Sequence, residues 1–509
     1  MNLTFEQESI VHAVFNYPTI LVNAFAGTGK TTTCMATIRE ANKRNLKVLY
    51  LVFNKAMSDE AKRKAKDLKV DIRTVHSLAY YELAKRGYFT NRQVSNIKVK
   101  DVSLALDIPY RLAFWVLEFF NQFLFSPFDF NQIEDFVSQK VQASLRFRHG
   151  YEEVGSELIP LLQKLTKKVK NKELPTPHDF YLKEFVLSDL SSNLSYDLVI
   201  LDESQDANPL FIELLKKIPA KHRLLVGDKH QRIYQFRNTV DAFRFFDSPI
   251  ILYLTQTFRF GSNISDLANT VLAFKGERKR IQPASNPKQT SKPHAVISYT
   301  NSSLLEYYLI STHRESMAFE RDIKEVIKPV LTILSLKEDY IDSSLPLDYS
   351  LLNSFRSFSD LQDYIYLILS SDYNSDEEKA LTDRELIQAY FLSEKLSLDD
   401  ALIVLKEYNQ NKNKPKQVYL TTAHSSKGLE YDTTTLLPDL AIPEDNLQLF
   451  SESLHNHQPI SPDIIASINL LYVALTRASL STSLPQEIQD TLDLMANTSQ
   501  SKAMWSFLR

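Results

Sequence analysis

The chain has 509 residues, a formal net charge of −3, 44% hydrophobic and 24% charged residues, and one cysteine, Cys34. That length accommodates roughly three or four domains. The lone cysteine excludes a disulfide framework and a cysteine-built zinc or iron–sulfur site, and the near-neutral charge excludes a nucleic-acid footprint spread over the whole surface, leaving only a local one.

Residues Met1–Gln7 show neither a basic n-region nor an apolar h-region, and no run approaches the ~18 apolar residues of a membrane span. A reducing, cytoplasmic setting is expected. Ile20-Leu21-Val22 reads as a strand that ends in Asn23-Ala24-Phe25-Ala26-Gly27-Thr28-Gly29, after which Lys30-Thr31-Thr32 opens a helix. Only nine glycines occur in the chain, and two fall here within three residues. Such a loop turns backbone N–H groups toward a polyphosphate, Lys30 reaches the β/γ-phosphates, and the Thr31 hydroxyl holds Mg²⁺. Ala24 stands at the usual first glycine. Lys47–Phe53 reads as a buried strand, with a charged helix from about Ser58.

Residues 90–190 have helical spacing and many aromatics, including Phe114, Trp115, Phe119, Phe120, Phe123 and Phe125. They are expected to form a helical insertion with its own core. Leu198–Leu201 and Leu224–Val226 are the next strands; the first ends in Asp202-Glu203-Ser204-Gln205-Asp206. There Asp202 suits Mg²⁺ and Glu203 suits a base for the attacking water, although a helix N-terminus also favours carboxylates. Gln231 follows the second strand, placed to sense a γ-phosphate. Tyr234 and Phe236 beyond it suit base stacking or a packed core.

Tyr253–Gly261 and Leu471–Ala478 each set one arginine, Arg259 and Arg477, beside an apolar segment. Either can stabilise charge on a transferring phosphoryl group, or serve in a surface ion pair. Residues 301–414 have helical spacing, and Asn411–Lys416 reads as a linker back to strand Val418–Thr421. Lys62–Lys64, Lys167–Lys168 and Arg278–Arg280 read, taken singly, as solvated faces or turns. The alternation predicts an α/β chain of two parallel-sheet cores, each interrupted by a mainly helical insertion. The expected division is 1–88 with 186–250 as the first core, 89–185 as its insertion, 251–300 with 415–509 as the second core, and 301–414 as a second helical insertion.

In this order the segments Val22–Thr31, Thr74–Tyr80, Asp202–Asp206, Leu254–Gly261 and Asn469–Ala478 resemble superfamily 1 helicases of the UvrD type, and within them the F-box DNA helicase branch. The resemblance runs from Gln7 to Arg477. It implies an ATP- and Mg²⁺-dependent motor that moves 3′→5′ on single-stranded or tailed duplex DNA in repair or recombination control, with nucleotide held between the two cores.

By resemblance, Gln7 reads adenine and Phe258 stacks on it. Ala26, Gly27, Thr28, Gly29, Lys30, Thr31 and Thr32 line the phosphates, and Glu430 binds ribose. Asp202, Glu203, Gln231, Arg259 and Arg477 take the metal and catalytic positions. Asn54, Thr74, His76, Tyr234, Phe236, Arg237 and His424 lie along the strand track. Thr32 replaces a frequent arginine, Asn238 a glycine, and Ser467-Ile468-Asn469 the usual charged residues before Leu471. No F-box precedes Gln7, so no ubiquitin-ligase link is expected. Two other readings stay open: a translocase that clears proteins from single strands, and an ATP-gated binding component of a larger assembly such as a phage-defence complex.

Overall fold

The computed structural model describes residues 3–143, 147, 151–152, 154–233, 242–246, 250–284, 290, 292–342, 344–348, 351–352, 355, 357–369, 379–411 and 413–507. They fall into two units, Met1–Thr255 and Gln256–Arg509. The first holds strands β1 (Thr19–Ala24), β2 (Val48–Val52), β3 (Asp71–Thr74), β4 (Leu198–Leu201), β5 (His222–Gly227) and β6 (Ile251–Leu254). They form one sheet in the order β3-β2-β4-β5-β1-β6, with every pairing parallel.

Aliphatic runs build these strands because both sheet faces are covered. Side chains alternate between two cores, as the period of two requires. Ile20, Val22, Val48, Tyr50, Ile200, Leu224 and Val226 share one core with Cys34, Met35 and Ile38 of the helix Lys30–Lys43. Leu21, Leu49, Leu51, Val199, Leu201 and Leu225 share the other with Leu182 and Phe185 of the helix His178–Leu187.

β6 differs from the sequence reading, which opens the second core at 251. Its residues pair with β1, from Leu21 opposite Ile251 to Ala24 opposite Leu254, so this strand completes the first sheet and covers an edge of β1 that would otherwise be open.

Between β3 and β4, the helices Val99–Leu106, Tyr110–Leu124, Ile133–Ala143 and Leu158–Lys170 enclose Phe119, Phe120, Phe123, Phe136 and Leu165. Lys183 ties this core to the sheet. Fully buried, its Nζ donates to Phe123 O (2.9 Å) and Ser126 O (2.7 Å) at the end of Tyr110–Leu124 and lies 4.2 Å from the Phe123 ring centroid. Burial pulls the ammonium down to about 7, against an upward pull from Asp129.

The second unit holds a two-stranded ribbon, β7 (Gln256–Thr257) with β8 (Gln282–Pro283), and a larger sheet of β9 (His294–Ser298), β10 (Met317–Phe319), β11 (Val418–Thr422), β12 (Tyr431–Leu436) and β13 (Ala478–Ser483). The larger sheet runs β10-β11-β9-β12-β13, and again every pairing is parallel. β10 falls inside the stretch 301–414 read as a helical insertion; three residues are too few to show a period. The inserted helices are Ile323–Lys337, Phe358–Leu369, Lys379–Ser393 and Leu398–Asn411. Glu385 from them accepts from Asn301 N (2.7 Å) and Ser302 N (2.9 Å), anchoring the start of the helix Asn301–Ile310. A carboxylate there complements the helix dipole. Two all-parallel sheets with crossover helices are the RecA-like cores of a P-loop NTPase. Among the described residues, no helix is long and apolar enough to cross a membrane.

Candidate active site

The loop after β1 sits at the carboxyl edge of the first sheet, where open α/β sheets bind ligands. Gly27 and Gly29 take φ of +73° and +83°, a region that side chains disfavour. Ala24 is not among the positive-φ residues, so the one position that departs from the glycine pattern is one where a Cβ carries no backbone strain. Thr28 Oγ1 closes the loop onto Phe25 O at 2.7 Å. Thr31 and Thr32 stand in the first turn of Lys30–Lys43. Gln7 is buried beside the loop: its Nε2 donates to Thr28 O at 3.5 Å, while its Oε1 accepts Thr4 N in a capping box.

Opposite the loop, Lys30 Nζ meets Glu203 Oε2 at 2.8 Å. Burial alone lowers the lysine, but Glu203, Asp228 and Asp202 more than offset it and hold the ammonium above its ordinary value. Asp202 is buried, which, with the Glu203 charge, pushes its carboxyl up to about 6 against Lys30 and two hydrogen bonds. Those bonds come from Tyr50 OH to Oδ2 (2.6 Å) and Glu203 N to Oδ1 (2.9 Å).

Glu203 itself takes φ +51°, a left-handed conformation that costs a non-glycine residue about 1–3 kcal/mol and is kept where the surroundings enforce it. Its Oε2 also accepts Gln205 Nε2 at 2.6 Å, and Gln205 Oε1 in turn accepts Asp228 N at 3.0 Å. Gln231 Nε2 donates to Asp228 Oδ2 at 2.8 Å. A continuous chain of polar contacts thus runs from Lys30 to Gln231. Gly227 makes room for it: a Cβ there would lie 2.5 Å from Gln205 Oε1 and 2.5 Å from Ser204 Oγ.

The donors suit a magnesium nucleotide. Among the described residues no group of three or more His, Cys, Asp or Glu converges as a metal cage. Mg²⁺ is commonly held by one or two carboxylates together with phosphate oxygens and water, a donor set that the Asp202 carboxylate and the Thr31 hydroxyl fit. The Asn23 amide and Ser204 hydroxyl, buried at the same strand edge, have no hydrogen-bond partner among the described residues, a pattern that fits a polar ligand nearby.

In the second unit, Arg259, Glu430 and Arg477 converge around Thr476. Arg259 binds Glu430 Oε1 through Nε (2.8 Å) and Nη2 (2.6 Å) and donates from Nη1 to Thr476 O (3.1 Å). Arg477 is only 1% exposed and donates to Val473 O, Leu429 O and Thr476 Oγ1. Phe258 is 47% exposed, its ring open to stacking.

Residues 7–237 match the model of the AAA domain family. Across 94% of its length the chain is 28% identical to F-box DNA helicase protein 1 of Schizosaccharomyces pombe, covering 56% of that protein. It is 27% identical to F-box DNA helicase 1 of Gallus gallus, over 97% of the chain and 50% of the relative. A probable DNA helicase II homolog of Mycoplasma genitalium is 26% identical over 50% of the chain and 40% of the relative. The chain is thus similar to DNA helicases along nearly its whole length and to the AAA domain family over residues 7–237. It spans about half the length of the F-box helicases it matches.

Several residues that the sequence resemblance assigns to the strand track have local partners in the structure. Asn54 Oδ1 caps the helix Lys55–Lys64 by accepting Met57 N, and Thr74 Oγ1 caps Val75–Ala84 by accepting Ser77 N. Asn54 follows β2 and Thr74 ends the neighbouring β3, both at the carboxyl edge of the sheet. His76 Nε2 bonds Asp179 Oδ1 at 2.8 Å, and His424 sits edge-on to Tyr299 with centroids 6.1 Å apart. Tyr234, Phe236 and Arg237 lie outside the described residues.

Sequence reading gave no role to Tyr50, Gln205, Asp228 or Asp179. Gln205 lies inside the segment Asp202–Asp206, and Asp228 between the strand Leu224–Val226 and Gln231. Tyr50 and Asp179 gave no linear signal, because each meets its partner only through folding.

Proposed function

We propose that this chain couples ATP hydrolysis to movement along single-stranded DNA, as a 3′→5′ translocase that unwinds tailed duplexes in repair or recombination control. The observation that carries this reading is the polar chain from Lys30 through Glu203, Gln205 and Asp228 to Gln231. It joins a phosphate loop to the segment leading into Tyr234, Phe236 and Arg237.

Lys30 and the loop N–H groups bind the phosphates. Glu203 leaves Lys30 when phosphate takes its place and orients the attacking water, accepting its proton. Asp202 and Thr31 would hold Mg²⁺, which would supply Lewis-acid polarisation of the phosphate oxygens. Gln231 senses the γ-phosphate, with Asp228 linking it back to Gln205 and Glu203, and passes its state to the segment that follows it in sequence. Arg259 and Arg477 neutralise developing charge; Arg259, with two of its nitrogens on a half-exposed carboxylate, is the more readily redirected. Gln7 and Phe258 hold adenine and Glu430 the ribose. His76, Tyr234, Phe236, Arg237 and His424 contact the strand.

The relatives' names as DNA helicases support DNA as the track. The test is ATP turnover with single-stranded DNA, duplex DNA and RNA, followed by strand displacement on 3′- and 5′-tailed duplexes. Stimulation by single-stranded DNA and displacement of the 3′-tailed substrate are expected. Equal turnover with and without any nucleic acid would refute the proposal.

A further inference from the structure

Tyr50 lies in β2, on the sheet face packed against the helix Lys30–Lys43, among Val22, Val48, Val52, Ile200, Leu224 and Val226. It is 1% exposed. A phenylalanine would satisfy this apolar packing, whereas a hydroxyl buried there costs free energy unless it finds an acceptor. The acceptor is Asp202 Oδ2 at 2.6 Å, one strand away, with the Cys34 thiol against the same hydroxyl.

Two further bonds fix that carboxylate. Asp202 N donates to Leu51 O at 3.0 Å, so strand pairing sets the spacing from Tyr50. Glu203 N holds the other oxygen, Oδ1. The carboxylate is thus gripped at both oxygens, from β2 below and from its own chain above, and its plane is set before any nucleotide arrives.

We propose that Tyr50 is a positioning residue for metal binding: its hydroxyl holds the Asp202 carboxylate in the orientation that takes Mg²⁺ beside the nucleotide phosphates. This rests on the ATP-site reading above. Partners that orient a ligating side chain are worth about tenfold or more in metal affinity when removed. Tyr50 does not touch phosphate, so nucleotide binding without metal is independent of it.

The experiment uses the full chain with Tyr50→Phe, titrated with Mn²⁺ by electron paramagnetic resonance in the presence of a non-hydrolysable ATP analogue. Mn²⁺ affinity is expected to fall about tenfold, while binding of the analogue in EDTA stays at the wild-type level. Wild-type Mn²⁺ affinity in folded Tyr50→Phe overturns the proposal, as does an equal loss of analogue binding in EDTA, the mark of general structural damage. Absence of any analogue binding by the wild-type chain overturns the ATP-site reading instead. If Tyr50→Phe does not fold, 3-fluorotyrosine placed at position 50 keeps the ring and strengthens the donor. A changed Mn²⁺ affinity then supports the role, and an unchanged one overturns it.

Discussion

Gly227→Ala tests the polar chain without touching a charged group. Gly227 has no positive φ, so the cost is steric. The new Cβ would meet Gln205 Oε1 and Ser204 Oγ at 2.5 Å and Gln205 N at 3.0 Å. The serine hydroxyl can rotate away, but the backbone nitrogen cannot. The Gln205 amide can swing only by giving up its bonds to Asp228 N and to the Glu203 carboxylate. Losing one neutral bond and one to a charged group costs about 2–4 kcal/mol, comparable to the ~1–3 kcal/mol of overpacking a tight interior. The expected destabilisation is therefore about 2–4 kcal/mol, read as a lower urea midpoint at unchanged slope, with weakened coupling between ATP turnover and DNA binding. A variant within about 0.5 kcal/mol of wild type, the range of a neutral surface change, with normal DNA stimulation, would refute the described packing.

Ser204→Ala removes a buried hydroxyl that has no partner among the described residues and should leave stability equal or raise it by about 1 kcal/mol; a loss of more than that in urea melts would contradict this. Lys183 titrates near 7 when folded and near its ordinary 10.5 when unfolded. Between those values the unfolded chain binds the extra proton, so the lysine's contribution to stability is lowest below pH 7 and rises toward pH 10.5, by at most about 1.4 kcal/mol per pH unit. The stability difference between wild type and Lys183→Met should therefore shift in favour of wild type from pH 7 to 9, and parallel curves would contradict the assignment. Phe236→Ala should weaken single-strand binding by about 1–3 kcal/mol in fluorescence-anisotropy titrations, with unchanged affinity removing Phe236 from the track.

The strand–loop–helix that carries the candidate phosphate site was legible because its backbone requirements are local. Gly27 and Gly29 mark the two backbone positions that need them, and Lys30 follows the strand–loop–helix order. Leu198–Leu201 reads as a strand because both sheet faces are apolar. Three-residue β10 carries too little pattern to register, and β6 joins β1 across more than two hundred residues, a pairing that linear spacing cannot rank. The burial of Arg477 against carbonyls of Val473 and Leu429 depends on how its helix packs. The Glu385 anchor and the contact of Lys183 with Phe123 are likewise long-range. Asn54 and Thr74 illustrate a different limit: both are strong N-cap residues, and the local signal that makes them good caps says nothing of DNA.

The most direct test of the central claim is ATP hydrolysis by wild type and by Lys30→Ala, with and without single-stranded DNA. The wild-type chain should hydrolyse ATP faster on DNA, and Lys30→Ala, folded by circular dichroism, should hydrolyse none in either condition. DNA-stimulated hydrolysis that survives in Lys30→Ala would contradict the account.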